Sequence, residues 1–121
     1  MTDRELITAV VRDYYYGGWY AADPSLMDRA LHPNLVKRSS ARLDGTPLRY
    51  LTKQDMVDAT AAGEGKPQAG LGTLEIAVDD VSENIATVTV RGSVYHEYLH
   101  LVRTPDGWQI ADALYRNVRP D

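Results

Sequence analysis

Apolar residues recur at helical spacing along the first quarter of the chain and at alternate positions along its second half. Thr2-x-x-Glu5 has the form of a capping box, and Leu6, Ile7, Val10, Val11, Tyr14 and Tyr15 follow on one helical face. Gly17-Gly18 weakens the end of this helix, although Trp19 and Tyr20 continue the aromatic run. Asp23-Pro24 opens a second, short helix, with Asp as N-cap and Pro at the first helical position. Its buried stripe is Leu26, Met27, Ala30 and Leu31, and His32-Pro33 ends it because proline disfavours helical geometry in the residue before it. Leu35 to Leu43 reads as a strand, turned at Asp44-Gly45, with Leu48 to Leu51 returning antiparallel. Thr52-x-x-Asp55 starts a third helix, which runs through Met56, Val57 and Ala59 to about Ala62. Gly63 to Pro67 is then a loop, either a lid or a simple connector. Beyond Gly70 the alternation of Leu74, Ile76 and Val78, then of Val88 and Val90, predicts strands, with a turn over Asp80 to Asn84 and a bend at Gly92. The last hairpin spans Val94 to Val118 and turns at Thr-Pro-Asp-Gly. Helices packed on one face of a curved antiparallel sheet make the expected class α+β.

Composition narrows this picture in four ways. The 121 residues suit a single domain, 1–121, with a real core. Eight Tyr and two Trp, with no Phe, supply every aromatic ring, so a semi-polar cavity lining and an ordinary biased core are both open. With no cysteine, disulfides and thiolate metal sites are excluded. A net charge of −4 gives no reason to expect nucleic acid or an anionic membrane, and a cytoplasmic location is the default expectation. One stretch runs against that charge: Lys37, Arg38, Arg42, Arg49 and Lys53 face a single acid, Asp44. Solvated strand and loop faces explain such a stretch; an anion-facing rim is the alternative.

His96-Glu97-Tyr98-Leu99-His100 matches the zinc-peptidase pattern H-E-x-x-H letter for letter. That site needs both imidazoles one helical turn apart on one metal. Here Gly92 precedes the run, Thr-Pro-Asp-Gly ends it, and Val, Tyr and Leu fill it, which predicts a strand. On a strand the two histidines share a face but stand about 13 Å apart. No later His or Cys offers a third ligand, so neither a metal nor any other cofactor is expected.

A four-residue hairpin loop sets Arg103 opposite Trp108, Leu101 opposite Ile110, Leu99 opposite Asp112 and Glu97 opposite Leu114. Opposed residues project to the same side. One face then carries Tyr95, Glu97, Leu99, Leu101, Trp108, Ile110, Asp112 and Leu114, and this more apolar face should meet the helices. Glu97 and Asp112 would form a carboxylate pair suited to acid/base work, or else sit near a wet mouth or in salt bridges. The other face carries His96, Tyr98, His100, Gln109, Ala111, Ala113 and Tyr115, a mixture that suits a two-fold homodimer contact. A one-residue slip in register would exchange the two faces.

The run Tyr14-Tyr15-Tyr16-Gly17-Gly18-Trp19-Tyr20-Ala21-Ala22-Asp23, followed by Met27 to Leu31 and His32-Pro33-Asn34-Leu35-Val36-Lys37-Arg38, resembles the nuclear transport factor 2-like superfamily. Glu97-Tyr98-Leu99-His100-Leu101 and Gly107-Trp108-Gln109-Ile110-Ala111-Asp112 resemble the last two strands of its lumazine-binding-like branch. Glu97 stands where that branch usually has Asp, and Asp112 where Asn is common. The resemblance implies a cone: a strongly bent sheet wrapped on three N-terminal helices, open to an apolar cavity, and dimeric through the outer sheet face. It also implies a range of functions. The first expectation is a binding protein for an unknown small molecule, with Tyr15, Trp19, Met56 and Trp108 lining the cavity beside His32, Glu97 and Asp112. The second is a cofactor-free isomerase, dehydratase or cyclase, in which Glu97 or Asp112 abstracts a proton, His32 shuttles it and a tyrosine hydroxyl stabilises the oxyanion. In the second role His32 competes with a structural one, holding the helix-to-strand turn. The third expectation is a non-catalytic dimerisation module with a closed cone.

Overall fold

The computed structural model describes residues 1–40, 44–45 and 47–118. The end of the expected first strand, 41–43, and with it Arg42 of the basic stretch, lies outside the described residues. The first helix is one continuous rod of three parts: α1 (Asp3–Ala9), a π-helical segment (Val10–Tyr16) and α2 (Gly17–Ala21). The Thr2/Glu5 capping box is formed, with the Thr2 hydroxyl accepting from the Glu5 backbone. Ala22 ends the rod in the left-handed region at φ 54°, and Asp23 caps α3 (Pro24–Ala30) from its side chain. Gly18 lets the two helices meet closely: a Cβ there would lie 2.9 Å from the Met27 backbone nitrogen. The chain then passes through β1 (Leu31–Ser39) and β2 (Arg49–Leu51) to α4 (Lys53–Ala61), which has its own capping box between Thr52 and Asp55. The remaining strands are β3 (Leu74–Ser82), β4 (Ile85–Gly92), β5 (Tyr95–Thr104) and β6 (Gly107–Asn117).

These strands form one open six-stranded sheet in the order β2-β1-β6-β5-β4-β3. The sheet is mixed rather than purely antiparallel, because β1 lies parallel to β6. The helices cover its inner face, as the α+β reading requires. Ile7, Val11, Met27, Leu31, Val88, Val90, Leu99, Leu101 and Ile110 are all sealed from water there. Each large aliphatic side chain among them contributes roughly 1.5–3 kcal/mol of burial.

Two bulges bend the sheet. Asp79 is the extra residue between the pairs Val78↔Val88 and Asp80↔Thr87, and Ala111 is the extra residue between Leu101↔Ile110 and His100↔Asp112. A bulge adds one residue to one strand and increases its local twist and bend. The segment expected to turn at Asp80 instead continues as strand to Ser82, and the chain reverses over Glu83 and Asn84, with Glu83 at φ 52°. The expected loop after α4 is docked on the fold. Its Lys66–Gln68 turn is 3₁₀-helical, and Gln68 ties it to Trp19 and Tyr95. Among the described residues no helix is long and apolar enough to cross a membrane.

Candidate functional site

The site forms where the π-helical segment meets β1, β5 and β6. In an α-helix consecutive residues diverge by about 100°, so Tyr15 and Tyr16 would not both face inward. The wider π turn has a smaller step per residue, and both tyrosines are buried at 3% exposure. Such segments are frequent at functional sites. Their rings meet edge to face, 5.0 Å apart, and both hydroxyls reach one carboxylate. Tyr15 donates to Glu97 Oε2 and Tyr16 to Oε1, each at 2.6 Å.

Glu97 stands on β5 between inward-facing Tyr95 and Leu99, and it is 2% exposed. Lys37 comes from β1, two residues after buried Leu35 and therefore on the same face. Its Nζ donates to the Tyr15 hydroxyl and lies 3.3 Å from Glu97 Oε2. It also sits 4.9 Å from the Tyr15 ring centroid and 4.5 Å from that of Tyr115, within cation–π range. Burial holds the Lys37 ammonium below its ordinary pKa and Arg49 adds to this, while Glu97 pulls the other way. Burial raises both tyrosines well above their usual range, and the Glu97 charge raises them further. At neutral pH they are therefore firm donors. The charges of Lys37 and Glu97 offset one another inside the fold.

This cluster is the floor of a pocket of about 660 Å³. Its walls are Trp19, Met27, Leu51, Met56, Tyr95 and Tyr115. Its rim carries Arg49 with Asp55, Asp58 and Glu64. Trp19 is held by its indole N–H, which donates to Gln68 Oε1 at 2.8 Å, and Gln68 Nε2 donates to Tyr95 Oη at 2.8 Å. The basic stretch divides accordingly: Lys37 and Arg49 line the pocket, Arg38 stacks over Tyr50, and Lys53 pairs with Asp28.

Four of the residues singled out in the sequence meet here: Tyr15, Trp19, Met56 and Glu97. Three do not. Asp112 was expected beside Glu97 on the inner face, but the Ala111 bulge exchanges the faces beyond it. Asp112 therefore pairs with His100 on the outer face, Oδ1 to Nδ1 at 2.8 Å, and both are well exposed. Tyr115 takes the place opposite Glu97. Trp108 is buried at the far end of the hairpin, six strand steps or about 20 Å from the Glu97 row, where its indole N–H donates to Asp3 at 3.1 Å. His32 is outside the pocket. It lies in the irregular part of β1 and its Nδ1 accepts from the Asn34 backbone at 3.0 Å, the turn-holding role.

The sequence reading missed Tyr16 and Tyr115 as pocket residues; it had Lys37 and Arg49 only as part of an alternative anion-facing rim, and Tyr95 on the inner face without a role. Lys37 was detectable from its alternation with Leu35, and Tyr115 from the break in alternation after Ile110. The π-helical turn that brings Tyr16 inward had no signal in the pattern. His96 and His100 stand on a strand, not a helix, so the zinc-peptidase geometry is not formed. Among the described residues no group of three or more His, Asp or Glu side chains is placed to hold a metal ion.

The model of the family described as "Putative lumazine-binding" matches residues 2–116. Solved structures share the fold. A nuclear transport factor 2-like protein of unknown function from Silicibacter pomeroyi aligns with a TM-score of 0.69 at 17% identity, over 97% of this chain and 99% of that one. A ketosteroid isomerase-like protein from Erwinia carotovora atroseptica aligns at 0.61 and 15%, over 96% of both chains. A protein from Streptomyces avermitilis titled a "putative dehydratase" of the same fold family aligns at 0.63 and 15%, again over 96% of both. No curated protein matches.

Proposed function

The chain belongs to the family so described, within the nuclear transport factor 2-like superfamily, and on that premise we propose that it binds a small, partly aromatic molecule in the Glu97 pocket. The ligand's polar group meets the Tyr15–Tyr16–Lys37–Glu97 floor and its rings lie between Trp19, Tyr95 and Tyr115. The observation that carries this reading is an ion pair at the bottom of an open pocket. Burying such a pair is costly, and apolar residues of similar size serve a core as well or better. A group retained there against that cost, in contact with a roomy cavity, is placed to meet a ligand. The size of the pocket weighs against a closed dimerisation module.

The test separates binding from stability. Lys37→Met with Glu97→Gln removes both charges and keeps a side-chain amide for the tyrosines. The double variant is expected to melt within about 1 kcal/mol of the parent and to lose thermal stabilisation by whichever member of an aromatic carbonyl and heteroaromatic library stabilises the parent. Equal stabilisation of both proteins would remove the floor from the reading.

An acid/base reaction in the same pocket is a second reading. It is favoured by the unbroken chain Lys37–Tyr15–Glu97–Tyr16, which can pass a proton between a ligand and the floor. The names of the isomerase-like and dehydratase neighbours are compatible with it. Asp112 and His32 have no part in it, and Glu97 is the group that would act.

The outer face supports a homodimer. Tyr98 and Leu114 oppose each other across β5 and β6 at 54% and 44% exposure, and the His96 ring lies 5.1 Å from that of Tyr98. Ala113 and Tyr115, expected on this face, point inward, and Asp112 and Leu114 replace them beside His100 and Ala111. Tyr98→Asp is expected to turn a dimer into a monomer in light scattering at micromolar concentration, without a change in far-ultraviolet circular dichroism. A parent that is monomeric under the same conditions would refute the dimer.

A further inference from the structure

We propose that Lys37 is an imine-forming amine, so that the pocket takes an aldehyde or ketone and holds it covalently and reversibly. This rests on the binding reading above and specifies its ligand class. Three features of the pocket converge on it. Lys37 Nζ is at the floor of an accessible pocket, although the residue is only 7% exposed. The proton carriers that carbonyl addition needs are already in contact with it: the Tyr15 hydroxyl and, 3.3 Å away, Glu97 Oε2. The walls beside it carry aromatic rings, Trp19, Tyr95 and Tyr115, against which an aromatic carbonyl compound can stack.

The chemistry balances without an added reagent. Glu97 takes a proton from the ammonium and frees the nitrogen lone pair. Burial favours the neutral amine and Arg49 adds to it, against the pull of the Glu97 charge; desolvation and a neighbouring cation are the means by which lysines are activated as nucleophiles. The nitrogen attacks the carbonyl carbon, a C–N bond forms, and the carbonyl π electrons move to oxygen, which takes the proton back from Glu97. The carbinolamine nitrogen passes its next proton through Tyr15 and Glu97 to the hydroxyl, the C–O bond breaks, and water leaves with that electron pair. The sum is amine plus carbonyl giving imine plus water, and hydrolysis runs it backwards.

The chain has three lysines, Lys37, Lys53 and Lys66, which makes the test clean. The folded full chain is mixed at neutral pH with benzaldehyde or cinnamaldehyde and cyanoborohydride, which delivers hydride to the imine carbon and fixes it as a secondary amine. Peptide mass mapping is expected to place the adduct on Lys37 about tenfold or more ahead of Lys53 and Lys66, because the pocket holds the aldehyde beside that one side-chain amine. Lys37→Arg, which keeps a cation beside Glu97 and cannot form the adduct, is expected to fold and to lose that site alone. Adducts spread evenly over the exposed amines would overturn the inference. Benzyl alcohol and cinnamyl alcohol separate the two readings: thermal stabilisation by them with no Lys37 adduct overturns only the covalent step, and neither stabilisation nor adduct overturns the binding reading as well.

Discussion

Glu97→Ala is expected to cost about 3–5 kcal/mol of stability, the range for breaking a buried ion pair from one side. The substitution leaves the Lys37 ammonium without its counter-charge and takes the acceptor from two buried phenols at once. At an m-value of about 2 kcal/mol/M this is a fall of roughly 2 M in the urea midpoint. Two effects set where in the range the value falls. Water can enter the vacated floor from the pocket and solvate Lys37, which lowers the cost. The cavity left in the tyrosine cluster raises it. Glu97→Gln keeps one acceptor and one donor for the phenols, so its cost should be nearer 1–3 kcal/mol. If Ala and Gln cost the same, the loss is that of the carboxylate charge, and the amide's hydrogen bonds to the phenols contribute nothing. A cost under about 1 kcal/mol for Ala would mean that the buried pair is not formed in solution.

The elements were legible in the sequence because their local chemistry agrees with their tertiary role. Both capping boxes form as read, Asp23-Pro24 starts its helix, and the tip of the last hairpin has the register its loop length dictates: Arg103 opposite Trp108 and Leu101 opposite Ile110. The site was legible only in part, because one extra residue reverses the parity of everything beyond it. Before Ala111 the inward positions are Trp108 and Ile110; after it they are Ala113 and Tyr115. Strict alternation instead put Asp112 and Leu114 inside, and the ionisable Asp112 on an apolar face was the sign of a slip. The same parity error sent Ala113 and Tyr115 to the outer surface. Glu97 escaped it because β5 carries no bulge on its own side. Lys37 was misjudged for a different reason: a lysine in a strand is usually solvated, and only a partner 60 residues away along the chain makes its burial tolerable. Parallel pairing of β1 with β6, which brings Lys37 and Glu97 into one cluster, is a long-range choice that no local pattern records.

Gly65→Ala is expected to lower stability by about 1–3 kcal/mol, the usual cost of forcing an extra methyl into a packed interior. The backbone at Gly65 has φ −85°, so an alanine meets no torsional strain there, and the whole effect is contact. A Cβ at this position would lie 2.4 Å from the Trp19 carbonyl oxygen and 2.5 Å from the indole ring. The carbonyl belongs to the helical rod and cannot swing aside, so either the turn after α4 or the Trp19 ring must move. Movement of either breaks the line from Trp19 through Gln68 to Tyr95 that fixes two walls of the pocket. The expected fall in melting temperature is about 4 °C per kcal/mol for a chain of this size. The fluorescence change should come from Trp19 alone, since the other tryptophan, Trp108, is buried at the far end of the hairpin. Gly107→Ala isolates the opposite cause: nothing lies within 4 Å of its Cβ position, but φ is +102°, so any loss there is backbone strain and should leave the fluorescence unchanged. A Gly65→Ala protein with the parent's melting temperature and emission would show that the turn does not press on Trp19, and the pocket wall would then have to be held by the helix alone.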